Sequence, residues 1–214
     1  MPSLWEQSAA DLLRAASNHQ AAPGGGGTAA LSGAFGAALV HMAAVISRQK
    51  ALKAEGTSGD WDTVMAELDG HLRALRALAD ADVEAFGQFV EAVRQPRTTE
   101  EEQVSRAEAL EEAGDLSRAV PLRIAQACVE TLGAAERLLP HTHPQVVSDV
   151  GAGAALLRGA LDAALLTLEI NLRRLNEEER RPLQAERDRL AAAGHEGAAR
   201  VLAGSRQRIV SDNG

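Results

Sequence analysis

Four consecutive glycines, Gly24 to Gly27, stand between Pro23 and Thr28 and run into Ala29-Ala30-Leu31-Ser32-Gly33-Ala34-Phe35-Gly36-Ala37-Ala38. No run of that length loses more conformational entropy on folding. A folded chain keeps one where the backbone must adopt positive φ or let another group come very close. A helix that begins just beyond such a loop turns free N–H groups and a positive dipole end toward whatever the loop holds. The run therefore reads as a binding loop for an anionic or planar polar ligand, followed by a helix over about 29 to 54.

The rest of the composition restricts the fold to helices. Tyrosine is absent and aromatic residues make up only 2% of the chain, too few to build a sheet together with the sparse β-branched residues. Ala, Leu, Glu, Arg and Gln dominate instead, and these are strong helix formers. From 21 to 47 the sole ionisable residue is His41. That stretch is built of Ala and Gly rather than Leu, Ile and Phe, so it reads as a helix buried inside a bundle and not as a membrane span. A second Gly/Ala segment, 151 to 164, has the same texture. Small residues let helix axes approach, as at the centre of a bundle or in a subunit interface.

The expected architecture is all-α, a bundle of about six helices with a helical dimer interface. Ser3 to Glu6 has capping-box form and opens a first helix to about 17. Gly56 to Gly59 breaks the chain, and a helix with Val64, Leu68, Leu72, Leu75 and Leu78 on one face spans about 60 to 95. Pro96 ends it. A second capping box, Thr98 to Glu101, starts a long helix to about 139 that Pro121 kinks or interrupts. Helices over about 145 to 175 and 178 to 203 follow. The whole reads as one domain, residues 1–204, and a polar C-terminal tail, 205–214.

The formal charge of −8 argues against nucleic acid as a partner. One cysteine, Cys128, excludes an internal disulfide and suits a reducing cytoplasm. Glu6 and Asp11 stand where a signal peptide would be basic and then apolar. The expectation is a cytoplasmic protein away from membranes.

Asp82 is the residue of most chemical interest, because it sits in the apolar run Leu78-Ala79-Asp80-Ala81-Asp82-Val83-Glu84-Ala85-Phe86. Asp80 and Glu84, four apart, share a solvated face, and Asp82 projects roughly opposite. If the side bearing Phe86 and Phe89 is core, Asp82 lies at a buried boundary, where a desolvated carboxylate has a raised pKa and suits proton transfer. The competing reading pairs it with an arginine on a neighbouring helix. Ser148-Asp149 leads into Val150-Gly151-Ala152-Gly153, either as a plain helix cap or as a polar contribution to a site. His141 and His143 have no third ligand at a suggestive spacing, so they read as a polar turn and no metal is expected. Cys128 reads as a packing residue. The glycine run lacks the Gly-Lys-Ser/Thr ending of a phosphate-binding loop and follows no strand. Arg94, Arg97 and Arg106 flank the Pro96 turn, as a solvated face or as contacts for a polyanionic tail.

Four ordered blocks resemble the cyclodeaminase/cyclohydrolase family: Pro23-Gly24-Gly25-Gly26 with its Ala-rich continuation to Leu39; Asp82-Val83-Glu84-Ala85-Phe86 with Pro96-Arg97; Arg106 with Ala119-Val120-Pro121-Leu122; and Ser148-Asp149-Val150-Gly151 leading to Ile170-Asn171-Leu172. The likeness extends over roughly residues 3 to 200. It implies an all-helical fold, assembly as homodimers or larger homo-oligomers, and a tetrahydrofolate site near the subunit interface. It also implies one of two reactions at the carbon between N5 and N10 of tetrahydrofolate. One is hydrolysis of 5,10-methenyltetrahydrofolate to 10-formyltetrahydrofolate; the other is cyclisation of 5-formiminotetrahydrofolate with loss of ammonia. The resemblance gives Asp82 the proton transfers. Gly24, Gly25, Gly26, Gly27 and Thr28, with Ser148 and Asp149, hold the pterin; Asn171 joins the substrate contacts; Lys50, Arg97 or Arg106 meets the glutamate tail. The chain departs from the family at Gly27, where Ser is usual and where Thr28 is the nearest hydroxyl. It departs again at Thr142-His143 and Thr167-Leu168, where the family has Gly-Asn and Asn-Val. A catalytically silent relative, a dimeric helical module binding a folate-like ligand or a protein, is the other function these residues admit.

Overall fold

The computed structural model describes residues 3–19, 22–55 and 61–211. The expected break at Gly56 to Gly59 and the last residues of the expected tail lie outside them. Among the described residues there are six α-helices and no strands: α1 (Ala9–Ala16), α2 (Gly25–Glu55), α3 (Trp61–Arg94), α4 (Glu100–Leu138), α5 (Val147–Leu172) and α6 (Glu177–Ser211).

Local capping decides where these helices start. Ser3 accepts from Trp5 N at 3.2 Å and opens only the 3-10 turn Leu4–Glu6. The first α-helix waits for Ser8, whose hydroxyl accepts from Asp11 N at 3.1 Å. The second capping box falls one residue later than expected, on Thr99 and Glu102, with both reciprocal bonds made. α4 runs through Pro121 as one element. α6 continues past its expected end to Ser211 and buries Ser205, so the segment from 205 to 211 is helix and not a free tail.

α2 and α5 form the antiparallel centre of the bundle. Where they cross, backbone meets backbone: a Cβ on Gly36 would lie 2.8 Å from the Gly153 carbonyl oxygen, and one on Gly153 would lie 2.7 Å from that of Gly36. Larger residues would hold the axes apart. α3 and α4 make an antiparallel hairpin laid against this pair, tied by Arg137 to Glu67 and by His71 to Glu130 at 3.4 Å. α6 lies antiparallel on α5, with Asp162–His195 at 2.5 Å and Glu169–Arg187 at 2.7 Å, and also meets α4 through Arg200–Glu136 at 2.7 Å. Leu68, Leu75, Ile124, Leu157, Leu161 and Leu168 fill the space between the helices and are fully buried.

Gly25–Lys53 and Pro144–Leu172 are long and apolar enough to cross a membrane by length and composition. In the bundle they pack on each other and are flanked by α3, α4 and α6. Their outer sides leave Phe35, Met42, Leu156 and Leu166 exposed.

Candidate functional site

The glycine run forms the first turn of α2, not a loop before it. α2 begins at Gly25, and Thr28 N donates to Gly24 O at 3.0 Å. Gly25, Gly26 and Gly27 therefore occupy the first helical positions, whose N–H groups have no partner within the helix. The Asp82 side chain, from the middle of α3, comes up against this turn. A Cβ on Gly26 would fall 2.6 Å from Asp82 Cγ and 2.9 Å from Oδ2, so any larger residue would expel the carboxylate from its place. Burial pushes the Asp82 carboxyl above its ordinary range, and a hydrogen bond from the Gly27 backbone N–H opposes that shift. Among the described residues no cation pairs with Asp82, which removes the reading that an arginine on a neighbouring helix neutralises it.

Opposite this turn, a proline sets the second wall. Pro121 has no N–H, so the Ser117 carbonyl one turn earlier loses its helical donor. Asn171, projecting from α5, supplies one: its Nδ2 donates to Ser117 O at 2.7 Å. The fourth sequence block thus meets the turn just before the proline of the third in one hydrogen bond. It fixes the orientation of the carboxamide and leaves Oδ1 as an acceptor with no partner among the described residues.

Between the two walls lies a cleft of about 590 Å³, lined by Gly24, Gly25, Gly26, Asp82 and Asn171 together with Phe86, Phe89, Thr167, Arg118, Arg173 and Arg174. Its size lies within the roughly 300–1,000 Å³ typical of small-molecule sites. Phe86 is 45% exposed and faces the cleft, so the side of α3 that carries it borders open space and is not core. The Arg174 guanidinium lies 4.3 Å from the centre of the Phe89 ring. Asp115 holds Arg118 at 2.6 Å. Arg173 and Arg174 stand at the C-terminal end of α5, where its dipole favours cations.

The cleft thus gathers Gly24, Gly25, Gly26, Asp82 and Asn171 from the residues singled out in the sequence. Gly27 lies directly beneath, where its added Cβ would meet Pro23 Cβ at 3.1 Å and Asp82 Oδ2 at 3.5 Å. Thr28 is exposed on the same turn and does not line the cleft. The others lie elsewhere. Lys50 is exposed near the far end of α2, and Arg97 is exposed in the turn between α3 and α4. Arg106 reaches back to the Val93 carbonyl at 3.3 Å. Ser148 and Asp149 open α5 at its other end, roughly 27 Å from Thr167 at a rise of about 1.5 Å per residue. His141 packs edge-on against Trp61 and His143 caps the turn after it, so the two rings serve different neighbours. Cys128 is buried in the core and its thiol is pushed up to about 12 by burial. Among the described residues no three potential metal ligands converge.

Sequence reading missed the cationic end of the cleft, Arg118, Arg173 and Arg174. The available signal was the Arg173-Arg174 pair directly after the Ile170-Asn171-Leu172 block.

Fold and site together define a helical-bundle protein that holds a desolvated carboxylate against a glycine-opened helix over a ligand-sized cleft. The chain belongs to the formiminotransferase-cyclodeaminase family, whose profile matches residues 8–189. It is 35% identical to a methenyltetrahydrofolate cyclohydrolase of Methylorubrum extorquens over 157 residues, 72% of this chain and 74% of the relative. It is 30% identical to the formimidoyltransferase-cyclodeaminase of Gallus gallus over 193 residues, 90% of this chain but 36% of that longer protein. The fold matches the crystal structure of formiminotetrahydrofolate cyclodeaminase from Thermotoga maritima with a TM-score of 0.82 at 21% identity, covering 97% of this chain and 100% of the other.

Proposed function

We propose that this protein is a folate one-carbon enzyme that hydrolyses 5,10-methenyltetrahydrofolate to 10-formyltetrahydrofolate, with Asp82 as its acid–base group. The observation that carries the reading is the Asp82 carboxylate, desolvated, without a cationic partner among the described residues and set against the first turn of α2. The substrate is a cation with its charge spread over N5, the bridging carbon and N10. An ionised Asp82 takes a proton from water as its oxygen bonds to that carbon, giving a neutral tetrahedral adduct. The bond from carbon to N5 then breaks, N5 receives the proton from Asp82, and the adduct oxygen loses its own proton to solvent as the formyl carbonyl forms. Open N–H groups at the start of α2 suit the oxygen that becomes electron-rich in this sequence. Phe86 and Phe89 offer flat apolar faces to a planar ring, and the acceptor Oδ1 of Asn171 suits an N–H edge of the pterin. Ser148 and Asp149 keep a role only if a second subunit brings them to the cleft.

Cyclisation of 5-formiminotetrahydrofolate uses the same carbon, with N10 as nucleophile and Asp82 protonating the departing ammonia. The names of the vertebrate relatives favour this as the second reading. A silent binding module is the weaker reading, because the acid–base group and the glycines that admit it are both kept. The protein works in the cytoplasm as a homodimer whose contact is the outer face of α2 and α5, where Phe35 is 61% and Leu166 64% exposed. Purified protein mixed with 5,10-methenyltetrahydrofolate should accelerate loss of its chromophore above the spontaneous rate. Ammonia release from the formimino compound, without that acceleration, would transfer the assignment to the cyclodeaminase.

A further inference from the structure

We propose that Asp80 is a positioning residue for Asp82, and that the N-terminal turn it holds keeps α2 and α3 in the register the reaction needs. This rests on the proposed hydrolysis and adds to it a residue outside the cleft. Both Asp80 oxygens are taken by the beginning of the chain. Ser3 Oγ donates to Oδ2 at 2.7 Å, and the Leu4 N–H donates to Oδ1 at 2.7 Å. Although expected on a solvated face, Asp80 is therefore half-buried. Leu4 is buried in the core, and Trp5 packs beside it. The Trp5 ring bridges two helices, its centre 6.4 Å from that of Phe35 on α2 and 5.5 Å from the Arg76 guanidinium on α3. Its Nε1 donates to the Arg76 carbonyl at 2.9 Å. Residues 3 to 5 thus form a clamp from α2 to α3, fastened at Asp80.

Beyond the clamp the seam between the two helices is smooth. Helices interlock through ridges of side chains, but α2 brings Gly26 and Gly27 to this stretch of α3. A Cβ on Gly27 would lie 3.6 Å from the Ala79 carbonyl oxygen, and one on Gly26 would displace Asp82. Glycine against backbone slides with little resistance, whereas the two bonds to Asp80 hold by direction. A reacting group works only within about 0.5 Å of its proper place, and a misplacement of about 1 Å costs up to a hundred-fold in rate. Asp82 follows Asp80 by two positions on one continuous helix, so a slip at the clamp reaches it undiminished. The charged groups that share the cleft with Asp82 are Arg118 from α4 and Arg173 and Arg174 from α5. Asp80 and Glu84 are its neighbours on α3, and α2 carries no ionisable residue before His41.

A carbon-detected NMR titration reads the Asp82 carboxyl directly, its signal assigned by its loss in Asp82→Asn. Turnover of 5,10-methenyltetrahydrofolate is followed on the same preparations at matched folded concentration. Asp80→Ala should return the Asp82 midpoint toward 3.8, because the carboxylate is freed into water. It should also lower kcat about ten-fold while KM changes less than about two-fold. Asp80→Asn keeps an acceptor for the Leu4 N–H and offers an amide N–H to the Ser3 hydroxyl, so both values should stay near those of the wild type. Ser3→Ala, which removes one of the two bonds, should fall between, and it decides the matter if Asp80→Ala does not fold. Val201→Ala is the control for lost stability alone, a buried residue on α6, which packs on α4 and α5 away from the clamp. It should leave midpoint and kcat unchanged. An unmoved midpoint and kcat in Asp80→Ala, or in Ser3→Ala where that variant is the folded one, overturns the clamp. Equal losses in Asp80→Ala and Asp80→Asn trace the effect to charge and overturn it too. A midpoint that moves in a protein without turnover overturns the reaction and upholds the positioning, whereas turnover with an unmoved midpoint overturns the positioning alone.

Discussion

The Asp82 carboxylate occupies the space that a Cβ on Gly26 would take, 2.6 Å from its Cγ. A helix start and a candidate acid–base group are thus fitted to one another. Gly26→Ala gains roughly 1 kcal/mol of helix propensity and loses the carboxylate's position, since the short Asp82 side chain can swing away. Activity should fall at least ten-fold while the denaturation midpoint moves little. Gly27→Ser is the contrasting case. Its Cβ would stand 3.5 Å from Asp82 Oδ2 and 3.1 Å from Pro23 Cβ, so it should fold, keep turnover, and bring a hydroxyl beside the carboxylate.

Asp82 itself should show opposite effects on stability and activity. Its folded pKa lies above the unfolded value, so its stabilising contribution is complete below the ordinary 3.8 and is lost as pH rises through the folded value. At neutral pH the ionised group is therefore a net cost to folding. Asp82→Asn should be at least as stable as the wild type in urea at pH 7, with the difference vanishing toward pH 3. A clear loss of stability at pH 7 would show that the carboxylate serves mainly to hold the start of α2.

The same shift sets the pH dependence of catalysis. The acid limb of kcat/KM should have its midpoint above 3.8, because desolvation outweighs the Gly27 N–H. A limb at or below that value would mean that Asp82 is better solvated or better hydrogen-bonded than its surroundings suggest.

The bond from Asn171 to Ser117 makes a paired prediction. Asn171→Leu leaves the Ser117 carbonyl without a donor and should cost about 1–3 kcal/mol. Pro121→Ala restores an N–H one turn along and should recover much of that loss in the double variant, read as a coupling energy in urea denaturation. The substrate KM of the double variant should stay high, because the carboxamide that faces the cleft is still missing.

The seam between α2 and α5 tests the packing. Gly153→Ala drives a Cβ to within 2.7 Å of the Gly36 carbonyl oxygen, a backbone atom that cannot rotate aside, and should destabilise the fold by about 1–3 kcal/mol.

Much of this fold was legible in the sequence, since proline, capping residues and apolar spacing mark helices locally. The glycine run was misplaced by that same local logic. Four poor helix formers read as loop, but the start of α2 meets neighbours distant in sequence: Asp82 accepts from the Gly27 N–H, and Thr167 Oγ1 lies 3.3 Å from where a Cβ on Gly25 would stand. Asp82 was found because a carboxylate in an apolar run is conspicuous, and Asn171 through the family likeness. Arg173 and Arg174 were passed over although they directly follow the Ile170-Asn171-Leu172 block, because arginines near helix ends have ordinary reasons to be there. Their significance comes from α2, α3, α4 and α5 converging on one cleft. Ser148-Asp149 shows the converse, a polar pair before a Gly/Ala helix that the bundle puts at the far end of α5 from that cleft.

The most direct measurement is the rate of 5,10-methenyltetrahydrofolate hydrolysis by wild type and Asp82→Asn at matched folded concentration. The wild type should accelerate the reaction, and the variant should lose about 10²- to 10⁴-fold in kcat, as removal of a general acid–base group does. A folded Asp82→Asn protein with full turnover would contradict the account.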